Sequence, residues 1–178
     1  MAEAFIGLGS NLSGESQGVL RDPEMQVKHA LKKINEHAQI NILEISSLYQ
    51  TPALGPGNQP DYINAAAKIE TDLKPYELLE NLQLIEHKQG RIRQHHWGAR
   101  TLDLDLLIYD QIIENTTKLI LPHPCAHERA FVLAPLADLN PDLIIPGRGK
   151  VIDLLADCSM QGIVKLTNQH CVRPKKKL

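Results

Sequence analysis

The stretch Arg100-Thr101-Leu102-Asp103-Leu104-Asp105-Leu106-Leu107-Ile108 decides the fold. Side chains of a β-strand alternate between two faces, so read as a strand it sends Leu102, Leu104, Leu106 and Ile108 one way and Thr101, Asp103, Asp105 and Leu107 the other. The first face is core. The second holds two carboxylates side by side, like charges that repel unless a cation sits between them. A hard divalent cation with oxygen ligands, most simply Mg²⁺ arriving with substrate phosphates, meets that demand. A half-buried strand with an acidic outer face spells the same Asp-x-Asp, so the flanks have to decide.

Immediately upstream, Arg91, Arg93, His95, His96, Trp97 and Arg100 crowd together around Gly98. A charge run is commonly a solvated face, yet this one directly precedes the paired aspartates in a chain whose formal net charge is −2. Guanidinium forks neutralise phosphate oxygens with defined geometry, and transfer of a phosphoryl-type group needs cations on several sides of the developing charge. His95 and His96 would point apart on a strand and have no matching third ligand, so a zinc site is not indicated.

Further out, apolar spacing predicts a helix over 75–89 with Leu78, Leu79, Leu82 and Ile85 buried, stopped by Gly90. Gln83 and Glu86 share a face of that helix, where solvent is the usual explanation. Before it, 62–71 alternates as a strand, with Ile63, Ala65, Ala67 and Ile69 opposite Tyr62, Asn64, Ala66 and Lys68. Tyr62 beside Asn64 can seat a flat, hydrogen-bonding heterocycle, although such a pair is more often just sheet surface. The segment 51–60 holds three prolines and two glycines, which no helix or strand interior accepts. It is either a connector or a semi-rigid wall of a site. The residues 40–49 read as one strand, and Asp22-Pro23 starts a helix of about four turns burying Val27, Ala30, Leu31, Ile34 and Ala38. Ser13–Arg21 reads as a loop. Residues 4–8 form a first, central strand, and Gly7-x-Gly9 after it lacks the third glycine of a dinucleotide fingerprint because Leu12 stands there. Toward the end, 134–139 and 151–156 read as short helices around a turn-rich 141–149 with room for one short strand.

Composition closes off other classes. With 178 residues and 43% hydrophobic content the chain fits one domain with a proper core, expected over 1–172, ahead of a basic frayed tail at 173–178. The charge balance argues against coating nucleic acid or an anionic membrane. Cys125, Cys158 and Cys171 are odd in number and widely spaced, so neither a disulfide framework nor a zinc site is expected. No apolar run of membrane-spanning length and no signal-like leader occurs, and a reducing cytoplasm is the expected compartment.

Taken together, several motifs closely resemble the 6-hydroxymethyl-7,8-dihydropterin pyrophosphokinases of folate biosynthesis. They are 5–12 (FIGLGSNL), 46–52 (SSLYQTP), 61–65 (DYINA), 90–93 (GRIR), 97–105 (WGARTLDLD), 122–124 (PHP) and 128–133 (ERAFVL), in the family's order over about 4–147. The resemblance implies an α+β fold: a ferredoxin-like core, an antiparallel sheet with helices packed on it in three α/β/α layers, in a monomer. It implies transfer of the β,γ-pyrophosphoryl group of ATP to the pterin hydroxymethyl oxygen, with release of AMP. By position, Asp103 and Asp105 match ligands of two Mg²⁺ ions bound with ATP, and Arg91 and Arg100 match arginines that stabilise the transferred group. Thr51, Pro52, Ala53, Leu54, Tyr62, Asn64, Trp97 and Phe131 match the pterin pocket. Gln83, Glu86, Arg91, Arg93, Arg100, Leu106, Lys118, Ile120, Leu121, His123 and Arg129 match positions associated with ATP.

The chain departs from the family pattern at His96, where arginine is common, and at Ala99, where proline is frequent. Cys125 and Ala126 are smaller or less charged than usual, the segment ahead of Trp97 is about one residue shorter than in some relatives, and Ser13–Arg21 is longer. A non-catalytic nucleotide- or pterin-binding module and a metal-dependent phosphohydrolase are the alternatives, separable by AMP release and by pterin dependence.

Overall fold

The computed structural model describes residues 1–54, 58–90 and 99–166. Arg91, Arg93, His95, His96, Trp97 and Gly98, together with Cys171 and the basic tail, lie outside the described residues.

The elements run β1 Ala2–Ser10, β2 Gly14–Ser16, β3 Val19–Arg21, α1 Pro23–Glu36, β4 Ile40–Ile45, β5 Tyr49–Thr51, β6 Tyr62–Thr71, α2 Pro75–Lys88 and β7 Asp103–Tyr109. After them come β8 Glu114–Asn115, β9 Ile120–Leu121, a 3₁₀ turn Ala126–Glu128, α3 Ala130–Leu139, β10 Ile144–Ile145, β11 Gly149–Lys150, α4 Val151–Ala156 and β12 Val164–Lys165. The main sheet is antiparallel in the order β12-β5-β6-β1-β7, with β4 also on β6. The succession β1-α1-β4-β6-α2-β7, with β1 between β6 and β7, is the ferredoxin-like arrangement.

Each helix follows from local chemistry. Asp22 accepts the Met25 N–H at 2.8 Å as N-cap of α1, ahead of Pro23, whose missing N–H costs nothing at that position. The Lys74 N–H donates to Glu77 Oε2 at 2.8 Å at the start of α2, and Gly90, at φ +83°, takes the left-handed conformation that ends it. Both helices bury their stripes on one sheet face, where Val27, Leu31, Ile34, Leu78 and Leu82 meet Ala4, Ile6, Leu8, Ala67, Ile69, Leu104 and Leu106. The other face carries Phe5, Ala66, Leu107 and Ile108 under Leu133 and Leu136 of α3 and Val151 of α4. The layers are therefore α/β/α.

Several boundaries differ from the sequence expectation. Ile108 does not continue the leucine face: Ile6 pairs with Leu106 but Phe5 with Ile108, so Leu107 is the extra residue of a β-bulge. The bulge flips the alternation, putting Ile108 with Phe5 in the second cluster and Tyr109 in the first. The stretch 40–49 is two strands because Ser46 breaks the ladder, its hydroxyl accepting the Ala66 N–H at 2.8 Å. Ser13–Arg21 is a hairpin turning at Gln17 and Gly18, both at positive φ. Ala38 is exposed beyond the end of α1. In α2, Glu86 is buried while Leu79 and Ile85 are half-buried. The helix expected at 134–139 begins at Ala130, and the turn-rich 141–149 leads to two short paired strands, β10 and β11. Among the described residues no helix is long and apolar enough to cross a membrane.

Candidate active site

The second sheet face is not covered along its whole length. Beyond α3 it opens into a cavity of about 450 Å³ lined by strand residues from β1, β5, β6 and β7 and by the segment that leads into α3. Its floor follows from register. Gly9 lies opposite Asp103 on one side and Asn64 on the other, and Gly7 opposite Asp105 and Ala66. With no side chains at Gly7 and Gly9, the neighbouring strands present theirs into the space. A Cβ at Gly9 would come within 2.9 Å of Asn64 Oδ1, and one at Gly7 within 3.3 Å of the Leu107 side chain.

Asp103 and Asp105 share this face, as the strand alternation requires, and both line the cavity. Arg100 Nη1 donates to Asp103 Oδ2 at 2.6 Å. Burial works most strongly against the Arg100 charge, but Asp103, joined by Tyr62 and Asp105, raises the guanidinium pKa on balance. His123 Nε2 stands 3.9 Å from Asp105 Oδ1. Burial pushes the His123 imidazole below its ordinary pKa and Arg129 pushes the same way, against Asp103. Arg129 also lines the cavity, with its guanidinium carbon 5.7 Å from the centre of the Phe131 ring. Tyr62, Asn64, Thr51, Pro52, Leu54 and Phe131 line the same cavity. Asn64 Nδ2 donates to Thr51 Oγ1 at 2.7 Å, which fixes the amide and turns Oδ1 toward Gly9.

The backbone at Arg100 is held by a residue 89 positions earlier in the chain. Its N–H donates to Asn11 Oδ1 at 2.7 Å, and its carbonyl accepts from the Asn11 and Leu12 N–H groups at 3.0 and 3.1 Å. The Asn11 amide donates in turn to the Pro60 carbonyl at 3.1 Å, tying the proline-rich segment to the strand that carries the aspartates. Ser10 Oγ donates to the Thr101 carbonyl at 2.6 Å.

Of the residues expected at ATP, Arg100, His123 and Arg129 line the cavity. Gln83, Glu86, Leu106, Lys118, Ile120 and Leu121 are not among the lining residues. Glu86 Oε1 accepts the Leu104 N–H at 2.7 Å, so this buried carboxylate is not the solvated group that helical spacing suggested. Gln83 is exposed, Lys118 Nζ lies 5.2 Å from the centre of the Tyr76 ring of α2, and Leu106 and Leu121 sit in the first core cluster. Of the pterin set, Ala53 lies beside the cavity rather than on its wall. Gly7, Gly9, Asn11 and Cys125 were not singled out as site residues from sequence. Gly-x-Gly did carry a usable signal, since two glycines at alternate positions of a central strand leave one sheet face bare.

Comparison with known proteins follows this geometry. The model of the 7,8-dihydro-6-hydroxymethylpterin-pyrophosphokinase (HPPK) family matches residues 5–141. The chain belongs to this family. Among HPPK relatives, the 2-amino-4-hydroxy-6-hydroxymethyldihydropteridine pyrophosphokinase of Haemophilus influenzae is 42% identical over 166 residues, covering 93% of this chain and 99% of its own. Its counterpart from Pseudomonas aeruginosa is 40% identical over 162 residues, covering 91% and 95%. A crystal structure of HPPK-DHPS in complex with substrates superposes with a TM-score of 0.65 at 11% identity, over 88% of this chain. That likeness shows the fold alone, and this chain spans 45% of that larger one.

Proposed function

We propose that this HPPK-family chain transfers the β,γ-pyrophosphoryl group of ATP to the hydroxymethyl oxygen of 6-hydroxymethyl-7,8-dihydropterin. The observation that carries the reading is one cavity lined by two sets of residues, Asp103, Asp105, Arg100, His123 and Arg129 in the first and Tyr62, Asn64 and Phe131 in the second. An anionic triphosphate suits the first set. A flat heterocycle with donors and acceptors suits the second, stacked between Tyr62 and Phe131 and hydrogen-bonded to the oriented Asn64 amide.

The donor set fits magnesium. Two carboxylates on one strand face are hard oxygen ligands, and among the described residues no group of three His, Cys, Asp or Glu forms a self-sufficient metal cage. Asp103 and Asp105 would hold Mg²⁺ brought in with ATP, two ions to each nucleotide. Bound there, Mg²⁺ supplies charge neutralisation and eases loss of the hydroxyl proton.

The chain's own groups do the rest. Arg100 and Arg129 bring guanidinium charge to the phosphates, and the pocket wall holds the pterin hydroxymethyl group in line with the β-phosphorus. The new oxygen–Pβ bond forms as the bond from Pβ to the α,β-bridging oxygen breaks, AMP leaves, and the hydroxyl proton goes to solvent. Arg91, Arg93 and Trp97 complete the site by family position, as do Gln83, Glu86, Leu106, Lys118, Ile120 and Leu121 around the adenine end. We place the enzyme in the cytoplasm as a monomer with these two substrates, and no nucleic acid or membrane among its partners.

A product assay with ATP, the pterin and Mg²⁺ tests this. AMP and a pterin diphosphate should appear in equal amounts, and a chelator should stop both. ATP consumption without pterin would point instead to a phosphohydrolase, and absence of AMP to a binding module. A phosphorylated protein trapped during turnover would exclude direct transfer.

A further inference from the structure

We propose that the segment Met160–Leu166 positions the pterin-side wall of the cavity, with Gly162 and Lys165 as its positioning residues. The proposal rests on the functional reading above and concerns residues beyond 141, where the family match ends. On its own, β5 would end after Thr51 in a proline-rich segment with one flank unpaired, an arrangement that frays. Three tethers prevent this.

The first is backbone pairing: β12 joins β5, with Val164 opposite Gln50 and Lys165 opposite Tyr49, and the Leu166 N–H donates to the Leu48 carbonyl at 2.8 Å. The second is an ion pair. Lys165 Nζ lies 2.7 Å from Asp138 Oδ1, while Asp138 Oδ2 accepts the Ser47 N–H at 3.1 Å, joining the segment, α3 and the start of the wall. The third is steric. Gly162 has φ +76°, and a Cβ there would fall 2.7 Å from Pro52 Cγ and 3.2 Å from Pro52 Cδ. Pro52 and Thr51 both line the cavity, and Thr51 holds the Asn64 amide. A shift of Pro52 therefore reaches the heterocycle seat and leaves the aspartates of β7, on the far side of β1, where they are.

Steady-state kinetics on the full chain, varying pterin and ATP separately, test this. Gly162→Ala should raise the pterin KM about ten-fold, with kcat and the ATP KM within about two-fold of the parent. Gly147→Ala is the control, since Gly147 has φ +70° but only an ordinary 3.5 Å contact with Ile113 Cδ1. It carries a similar backbone strain and should leave the pterin KM unchanged. Lys165→Met should raise the pterin KM about three-fold, and it decides by the same criterion if Gly162→Ala does not fold. An unchanged pterin KM, or pterin and ATP KM rising in step, overturns the proposal. A parent enzyme that makes no pterin diphosphate overturns the functional reading instead.

Discussion

The two faces of β1 have opposite compositions. Toward α1 and α2 it sends Ala4, Ile6 and Leu8, none more than 3% exposed, into the larger hydrophobic core. Toward the cavity it sends Gly7 and Gly9, which cover nothing and leave the space to Asp105, Asp103 and Asn64 of the neighbouring strands. One strand thus serves stability and ligand access through alternate residues. Changes at Ala4, Ile6 or Leu8 should lower stability and spare turnover, and changes at Gly7 or Gly9 should do the reverse.

The largest effect expected is on the open face. Asp105→Asn should cut Mg²⁺-dependent AMP release by about a thousand-fold while the thermal midpoint stays close to the parent's, because this side chain is 43% exposed. Near-normal turnover would remove the metal assignment. On the closed face, Leu82→Ala should cost about 3 kcal/mol in chemical denaturation, since Leu82 is fully buried, with kcat unaltered in the folded fraction. A stability loss with an equal loss of kcat would erase the contrast between the faces. Arg100→Ala should slow the single-turnover chemical step about a hundred-fold with a much smaller change in pterin affinity. An unchanged chemical step would assign Arg100 to holding Asp103 and nothing more.

Gly9→Ala tests the floor itself. With the new Cβ 2.9 Å from Asn64 Oδ1, the amide must move, and the pterin KM should rise about ten-fold with little change in the ATP KM. The smallest effect concerns Asp138, at the edge of the wall. Partial burial tends to raise its pKa, but Lys165, the Ser47 N–H and Tyr49 together hold it below the usual carboxylate value. A depressed carboxylate adds stability above its unfolded pKa of about 3.9 and loses it as pH falls toward the folded value. The gap in thermal midpoint between the parent and Asp138→Asn should therefore be widest near neutrality and close below about pH 4. A gap independent of pH would mean that the charge contributes nothing.

Local periodicity was a good guide where one face is buried. The stripes of Val27, Leu31 and Ile34 and of Leu78 and Leu82, and the alternation of 62–71, stand where the spacing put them. It failed where a single residue changes the count, at the Leu107 bulge and at Ser46, and where a polar side chain is buried by a partner distant in sequence, as Glu86 is by the Leu104 N–H. The hairpin β2–β3 was missed because Val19 and Leu20 face solvent and leave no alternation to read.

From its residues alone this chain declares its helices, its central strands, the shared face of Asp103 and Asp105, and its resemblance to a pyrophosphokinase family, because each of these rests on spacing within a short run or on motifs in order. What joins the runs was decided only in three dimensions. Asn11 reaches Arg100 and Pro60, His123 faces Asp105, and Gly162 lies against Pro52. Those contacts depend on how two helices and a bulged, antiparallel sheet pack together, and no local pattern encodes a distance between residues so far apart in the chain.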